Sequence, residues 1–163
     1  PFLLAGATSV EAGRKLQLAD KKGIELPGDW VVDKNRQVVK DPKEAESILA
    51  TAAFEEEQKG GGLLTLGGSE VNSNYKGMGN SIVVEILTGI LAQGSISADT
   101  NTGKHDFSQF VFAFDPAFFG DVETLKANAT SMLDRIRHLN HVPGKTIWVP
   151  GDREYKNLSL IRI

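Results

Sequence analysis

Apolar residues recur along this chain at two spacings, and each spacing predicts a different element. Pro1-Phe2-Leu3-Leu4 is a continuous apolar run, which predicts a buried strand at the very start. After Ala7-Thr8-Ser9, residues Val10, Ala12, Leu16, Leu18 and Ala19 fall at helical spacing, and Gly23 is placed to stop that helix. Pro27-Gly28-Asp29 is turn chemistry ahead of two short runs, Trp30-Val31-Val32 and Val38-Val39, separated by Asp33-Lys34-Asn35-Arg36; this predicts a hairpin or strand pair. Asp41-Pro42-Lys43-Glu44 is a helix start, with a capping carboxylate, proline at the first helical position and an acid where a capping box wants one. Ala45, Ile48, Leu49 and Ala52 form one face of that helix, and Glu55-Glu56-Glu57 ends it in solvent.

Gly60-Gly61-Gly62 predicts a flexible joint at 59–62. Beyond it a helix is expected over Ser81–Gln93, then a polar loop from Ser95 to Gly103. The alternation of Phe110, Phe112 and Phe114 predicts a strand over Phe107–Asp115. Asp121 caps an amphipathic helix with Val122, Leu125, Ala129, Met132, Leu133, Ile136 and Leu139 on its apolar face. Pro143-Gly144 ends it, and Thr146-Ile147-Trp148-Val149 predicts a last short strand before Pro150-Gly151-Asp152. Helices and strands interleave, so the class is α/β or α+β, with the strand order open.

Composition narrows the function classes. The chain has 163 residues, 40% of them hydrophobic, enough for one folded core. Its 18 basic against 21 acidic residues, with no long Lys/Arg run, argue against a nucleic-acid partner. The longest apolar stretch, Ile82–Leu91, is too short to span a bilayer, so a cytoplasmic protein with no membrane partner is expected. Without cysteine there is no disulfide framework or thiolate nucleophile, and redox chemistry needs a bound cofactor. An apolar run at residue 1 without an initiator methionine predicts that more polypeptide belongs upstream.

Three segments offer binding chemistry. Asn74-Tyr75-Lys76-Gly77-Met78-Gly79-Asn80-Ser81 runs into an apolar helix; glycine admits a ligand to the backbone, a helix start attracts an anion, and Lys76 adds a charge. It matches neither a Walker loop nor a dinucleotide fingerprint, and close helix packing with Lys76 merely solvated is the alternative reading. Thr8 and Ser9 at a strand-to-helix turn suit phosphate or ribose, or simply cap a helix. Asp152 in Pro150-Gly151-Asp152 suits a ligand hydroxyl or an ordinary turn. His138 and His141 are three apart but lack a third metal ligand, and His105 sits in a polar loop near Asp106. No catalytic residue is assigned.

In combination these segments resemble a known family. Ala7-Thr8-Ser9-Val10 with Gly13-Arg14-Lys15, Leu26-Pro27-Gly28-Asp29-Trp30, Leu66-Gly67-Gly68, Tyr75-Lys76-Gly77-Met78-Gly79, Val84–Leu91, Gln109–Pro116 and Val149–Glu154 follow, in order, the pattern of the malate/L-lactate dehydrogenase-like family. The resemblance implies NAD(P)-dependent oxidoreductases acting on small 2-hydroxy acids. It implies a non-Rossmann α/β fold with a largely antiparallel mixed sheet flanked by helices. It also implies that residues 1–163 are the C-terminal part of the cofactor-binding and dimerisation region of a larger enzyme. Thr8, Ser9, Lys76, Gly77, Pro150, Gly151 and Asp152 map onto positions around the NAD or NADP cofactor in relatives.

Three departures accompany the match. Ala5 replaces the family's aspartate, Asp152 replaces a glutamate, and the family's general acid/base histidine lies in an N-terminal half outside this sequence. Two functions follow: a 2-hydroxy acid dehydrogenase present as a fragment lacking its catalytic histidine, or an inactive nucleotide-binding or interaction module of the same descent. Both call for a partner, either a second copy or the missing half.

Overall fold

Valine pairs at 31–32 and 38–39 build the sheet, because β-branched side chains suit a half-buried pleat. The computed structural model describes residues 2–51, 60–97, 99–100 and 106–161. Strands β1 (Val31–Val32) and β2 (Val38–Val39) pair antiparallel with Val31 opposite Val39, as the hairpin reading predicts. Asp33 holds the connection, accepting the N–H groups of Asn35 and Gln37 at 2.9 and 2.7 Å. A third strand, β3 (Gly62–Leu63), pairs antiparallel on the other side of β1, giving the order β2-β1-β3. The α/β class and the antiparallel sheet are therefore those expected.

Helices α1 (Arg14–Lys22) and α2 (Pro42–Thr51) cover this sheet. Gly23 ends α1 with φ of 63°, and its N–H returns to Asp20 C=O at 2.9 Å. Asp41 starts α2 by accepting the N–H groups of Lys43 and Glu44 at 2.7 and 3.1 Å. Leu16 and Ala19 of α1, Ala45 and Ile48 of α2, and Leu26, Val31 and Val39 form one buried cluster, against which Trp30, Leu49 and Leu63 pack. Helix α3 (Tyr75–Glu85) follows and passes into a π turn over Ile86–Ile90.

The chain divides into two compact units: Gly6–Val111, which holds all of the above, and Pro1–Ala5 with Phe112–Ile163. The glycine run at 60–62 thus lies inside one unit, with Gly62 in β3. In the smaller unit Asp121 caps α4 (Val122–Arg137), taking the Thr124 N–H and hydroxyl, both at 2.8 Å. Helix α5 (Asp152–Ile161) follows a turn at Gly151, whose φ is 100°. Val149 is the buried side chain ahead of that turn.

Three expected strands are absent. Residues 2–4 form no ladder and are exposed; Leu3 N–H instead reaches Pro150 C=O at 3.4 Å. Phe107–Asp115 runs without a strand partner, and Phe112, Phe114 and Phe119 meet edge to face with centroids 5.0 and 6.2 Å apart. Residues 146–149 are also irregular. An apolar or alternating run becomes a strand only beside an edge that can take its N–H and C=O groups, and these runs face none among the described residues. Helix α3 departs from expectation in the other direction, beginning at Tyr75 rather than Ser81. His105, Lys59 and Glu55-Glu56-Glu57 lie outside the described residues. Among the described residues no helix is long and apolar enough to cross a membrane.

Candidate functional site

Thr8 and α3 are fixed to each other through one residue, Leu66. Thr8 C=O accepts the Leu66 N–H at 3.0 Å and Val10 N–H donates to Leu64 C=O at 2.8 Å, so 8–10 lies antiparallel to 64–66 with Ser9 opposite Thr65. On the other side Gly77 presses against Leu66: a Cβ there would stand 2.0 Å from the Leu66 carbonyl oxygen. Glycine is demanded at 77 by backbone against backbone, the close-packing alternative. The Thr65 hydroxyl adds a bond to Asn74 C=O at 3.0 Å.

This makes the glycine-rich segment part of α3 rather than a loop before it. Lys76 N–H donates to Ser73 C=O at 3.1 Å and Met78 N–H to Asn74 C=O at 2.9 Å, so those amides are already engaged. The Lys76 side chain is exposed, its ammonium 5.9 Å from the Tyr75 ring centroid. The Ser9 hydroxyl donates to Glu11 C=O at 2.8 Å, and Glu11 in turn accepts from Lys15 and the Ala12 amide. The Lys15 hydrogen bond, helped by that amide, holds the Glu11 carboxyl below its ordinary range.

A cleft of about 250 Å³ opens between Thr8, the inner face of α3 and the loop after it. Thr8, Ser81, Glu85, Thr88, Ser97 and Thr100 are among its lining residues. Glu85 ties the loop down: its carboxylate accepts the Ser97 N–H at 2.6 Å and the Ser97 hydroxyl. The π turn lets Gly89 approach that loop, where a Cβ would lie 3.4 Å from Ser95 C=O and 3.2 Å from Glu85 Oε1.

In the smaller unit, Asp152 is already engaged within the protein. It takes Arg137 in a two-pronged ion pair, Nη2 to Oδ1 at 2.7 Å and Nε to Oδ2 at 3.0 Å, and accepts the Val149 N–H at 3.1 Å. Arg137 also reaches Asp134 at 2.7 Å. The pair raises the Arg137 pKa and holds the Asp152 carboxyl below its usual range, chiefly through the Arg137 hydrogen bond. A depressed folded-state pKa gives stability that is present above the ordinary carboxylate pKa and is lost as pH falls through the folded value. The melting temperature is therefore expected to hold down to about pH 5 and to fall below roughly pH 4. Asp152→Asn should lower it at neutral pH and flatten the acid loss; melts across that range that superimpose on wild type would remove the pair from the acid response. His138 and His141 turn their Nδ1 atoms to the Asp134 and Leu139 carbonyls, at 2.6 and 3.3 Å.

Against known proteins, a family model described as malate/L-lactate dehydrogenase matches residues 1–160. The chain belongs to that family. It is 32% identical to a malate dehydrogenase of Pyrococcus abyssi over 164 residues, which is 98% of this chain and 42% of the relative. It is 30% identical to a malate/(S)-sulfolactate dehydrogenase of Methanothermus fervidus, covering 94% and 40% of the two chains. The ureidoglycolate dehydrogenase (NAD(+)) of Escherichia coli is 23% identical, with 92% and 39% covered. The crystal structure of malate dehydrogenase from Entamoeba histolytica shares the fold with a TM-score of 0.84 at 24% identity, over 98% of this chain and 44% of that one. The chain thus spans about two fifths of the length of the curated relatives it matches.

Within the chain, Thr8, Ser9, Lys76 and Gly77 fall in one unit and Pro150, Gly151 and Asp152 in the other. Thr8 lines the cleft with Ser81 and Glu85 of α3, Lys76 and Gly77 are not among its described lining residues, and Ser9 turns its hydroxyl back to the nearby backbone. Two residues escaped the sequence reading. Arg137 is one of several charges near the end of an amphipathic helix, and nothing local in the sequence sets it apart. Glu85 interrupts the apolar run Ile82–Leu91, and a carboxylate inside such a run is itself a signal, because a charge there needs partners.

Proposed function

We propose that this chain forms the cofactor-binding part of an NAD(P)-dependent oxidoreductase that interconverts a small 2-hydroxy acid and its 2-oxo acid. The observation that carries the reading is the joint at Leu66, which fixes Thr8 against α3, so that Thr8 and Ser81 of α3 line one hydroxyl-rich cleft. The residues of Gly6–Val111 suit a nicotinamide nucleotide: an exposed ammonium at Lys76 for phosphate, and polar side chains for the remainder. The cleft is smaller than the roughly 300–1,000 Å³ of pockets that enclose whole ligands, so this unit takes part of the dinucleotide. Pro150, Gly151 and Asp152 contribute differently. With Asp152 engaged by Arg137 and Val149, its role is to hold the shape of the turn before α5.

Bound nicotinamide supplies hydride transfer. The chain's own residues bind and orient: Lys76 offsets phosphate charge, and Thr8 and Ser81 present hydroxyls to the cleft. Titration of the chain with NADH, followed by nicotinamide fluorescence, is expected to saturate below millimolar concentration. A flat titration would remove the cofactor reading.

Partners follow from exposure. Ile82, Val83, Ile86, Ile90 and Leu91, away from the polar Ser81–Glu85–Thr88 side of α3, are all exposed. An exposed apolar surface of that extent marks an interaction face. The proposed cover is a second copy of the chain or further polypeptide of the kind its longer relatives carry. Sedimentation of the chain is expected to show self-association; an ideal monomer at micromolar concentration would speak against the second copy.

A further inference from the structure

We propose that the cleft around Glu85 is a ribose site, taking the cis-diol of a nucleotide sugar. The proposal rests on the nicotinamide-nucleotide reading and names which chemical part of that cofactor this cleft receives. It follows from where the hydroxyl hydrogens go. Ser81 donates to Gly77 C=O at 3.0 Å, Thr88 to Val84 C=O at 2.8 Å and Thr100 to Ser97 C=O at 3.0 Å. The Ser97 hydroxyl donates to Glu85 itself. Each of these oxygens has spent its only hydrogen on the protein and can present nothing but lone pairs to a ligand. Glu85, ionised, is acceptor-only. Of its roughly four lone-pair positions, the Ser97 amide and hydroxyl use two.

The cleft is therefore rich in acceptors, and no Lys, Arg or His is among its described lining residues. A phosphate or the carboxylate of a hydroxy acid would bring negative charge to acceptors beside Glu85, and no cation among the described lining residues offsets it. A sugar diol brings two adjacent O–H donors and no charge, which matches two open carboxylate positions. The volume of about 250 Å³ holds roughly eight waters, enough for a furanose with its solvent and too little for two nucleotides. Lys76 offers phosphate its cation on α3, so the two chemistries of a nucleotide are served by separate groups. The dinucleotide carries two riboses, and either could supply this diol.

The test titrates the full chain with NADH by fluorescence and compares three changes: E85Q, an NADH analogue lacking the 2′-hydroxyl of the adenosine ribose, and one lacking it on the nicotinamide ribose. E85Q is expected to weaken NADH about tenfold, the loss of a hydrogen bond to a charged group. One of the two deoxy analogues is expected to weaken by a similar factor on wild type, and which one it is identifies the ribose. The analogues need no variant, so they test the ribose requirement even if E85Q fails to fold, and the analogue that weakens on wild type is expected to lose nothing further on E85Q. NADH that binds wild type while both analogues bind equally well overturns the ribose site and leaves the cofactor reading standing, whatever E85Q does. Wild type that binds no NADH overturns both.

Discussion

Gly77→Ala is expected to unfold or strongly loosen the unit Gly6–Val111 and to abolish NADH binding with it. The added methyl would lie 2.0 Å from the Leu66 carbonyl oxygen and 2.7 Å from its carbon and nitrogen. Those are backbone atoms, and Leu66 is held in place by its own N–H bond to Thr8 C=O. Relief requires α3 to move away from the strand, against the bonds from Thr65 to Asn74 and from Leu66 to Thr8. Overpacking typically costs about 1–3 kcal/mol, and a clash this deep belongs at or above the top of that range. For a unit of this size each kcal/mol lowers the melting temperature by roughly 4–8 °C. Gly79→Ala is the control: nothing stands within 4 Å of a Cβ at 79, and alanine is the better helix former by about 0.8–1.0 kcal/mol. Gly77→Ala melting together with wild type would mean that α3 does not rest on Leu66.

Leu16→Ala should cost about 2–5 kcal/mol, the range for emptying a fully buried leucine site. Leu16 is 0% exposed and belongs to the cluster in which α1, α2 and the sheet meet. Few buried side chains share that load, and the neighbours most able to fill the space, Ala19 and Ala45, are small. Leu18, on the same helix and 50% exposed, supplies the comparison: Leu18→Ala should stay within about 0.5 kcal/mol of wild type. Urea or thermal melts of the two variants side by side check the contrast. Equal melting would move the core away from α1.

What the chain revealed in advance was local. Gly23, Asp41 and Asp121 announce helix ends because the bonds they make span no more than four residues. The hairpin at 31–39 was readable for the same reason. The runs at 2–4, 107–115 and 146–149 misled because strand formation depends on an edge elsewhere in the chain, which no run of side chains encodes. Gly77 misled in another way. Read from neighbours alone it belongs to a loop, but the contact that requires it is with Leu66, eleven residues earlier in sequence. Of the candidate site, the segments were legible and their roles were less so. Ser9 and Asp152 are engaged inside the protein, and Asp152 finds Arg137 fifteen residues away. Glu85 became interpretable only when the hydrogens of the surrounding hydroxyls could be followed to their carbonyls.

The π turn over Ile86–Ile90 bears on how this segment tolerates insertion and deletion. Leu91 N–H returns to Ile86 C=O at 2.9 Å and Gly94 N–H to Gly89 C=O at 3.0 Å, each one residue farther back than an α-helix would reach. The turn therefore contains one surplus residue. Removing a single residue between 86 and 90 would let α3 continue as an α-helix with the chain beyond kept close to its present phase, because the wide turn rotates by nearly as much over five residues as an α-helix does over four. What would be lost is the wide turn itself, and with it the close approach of Gly89 to Ser95 and Glu85. This stretch is thus where α3 can absorb a change of length by one residue, at the expense of the contact that shapes the cleft.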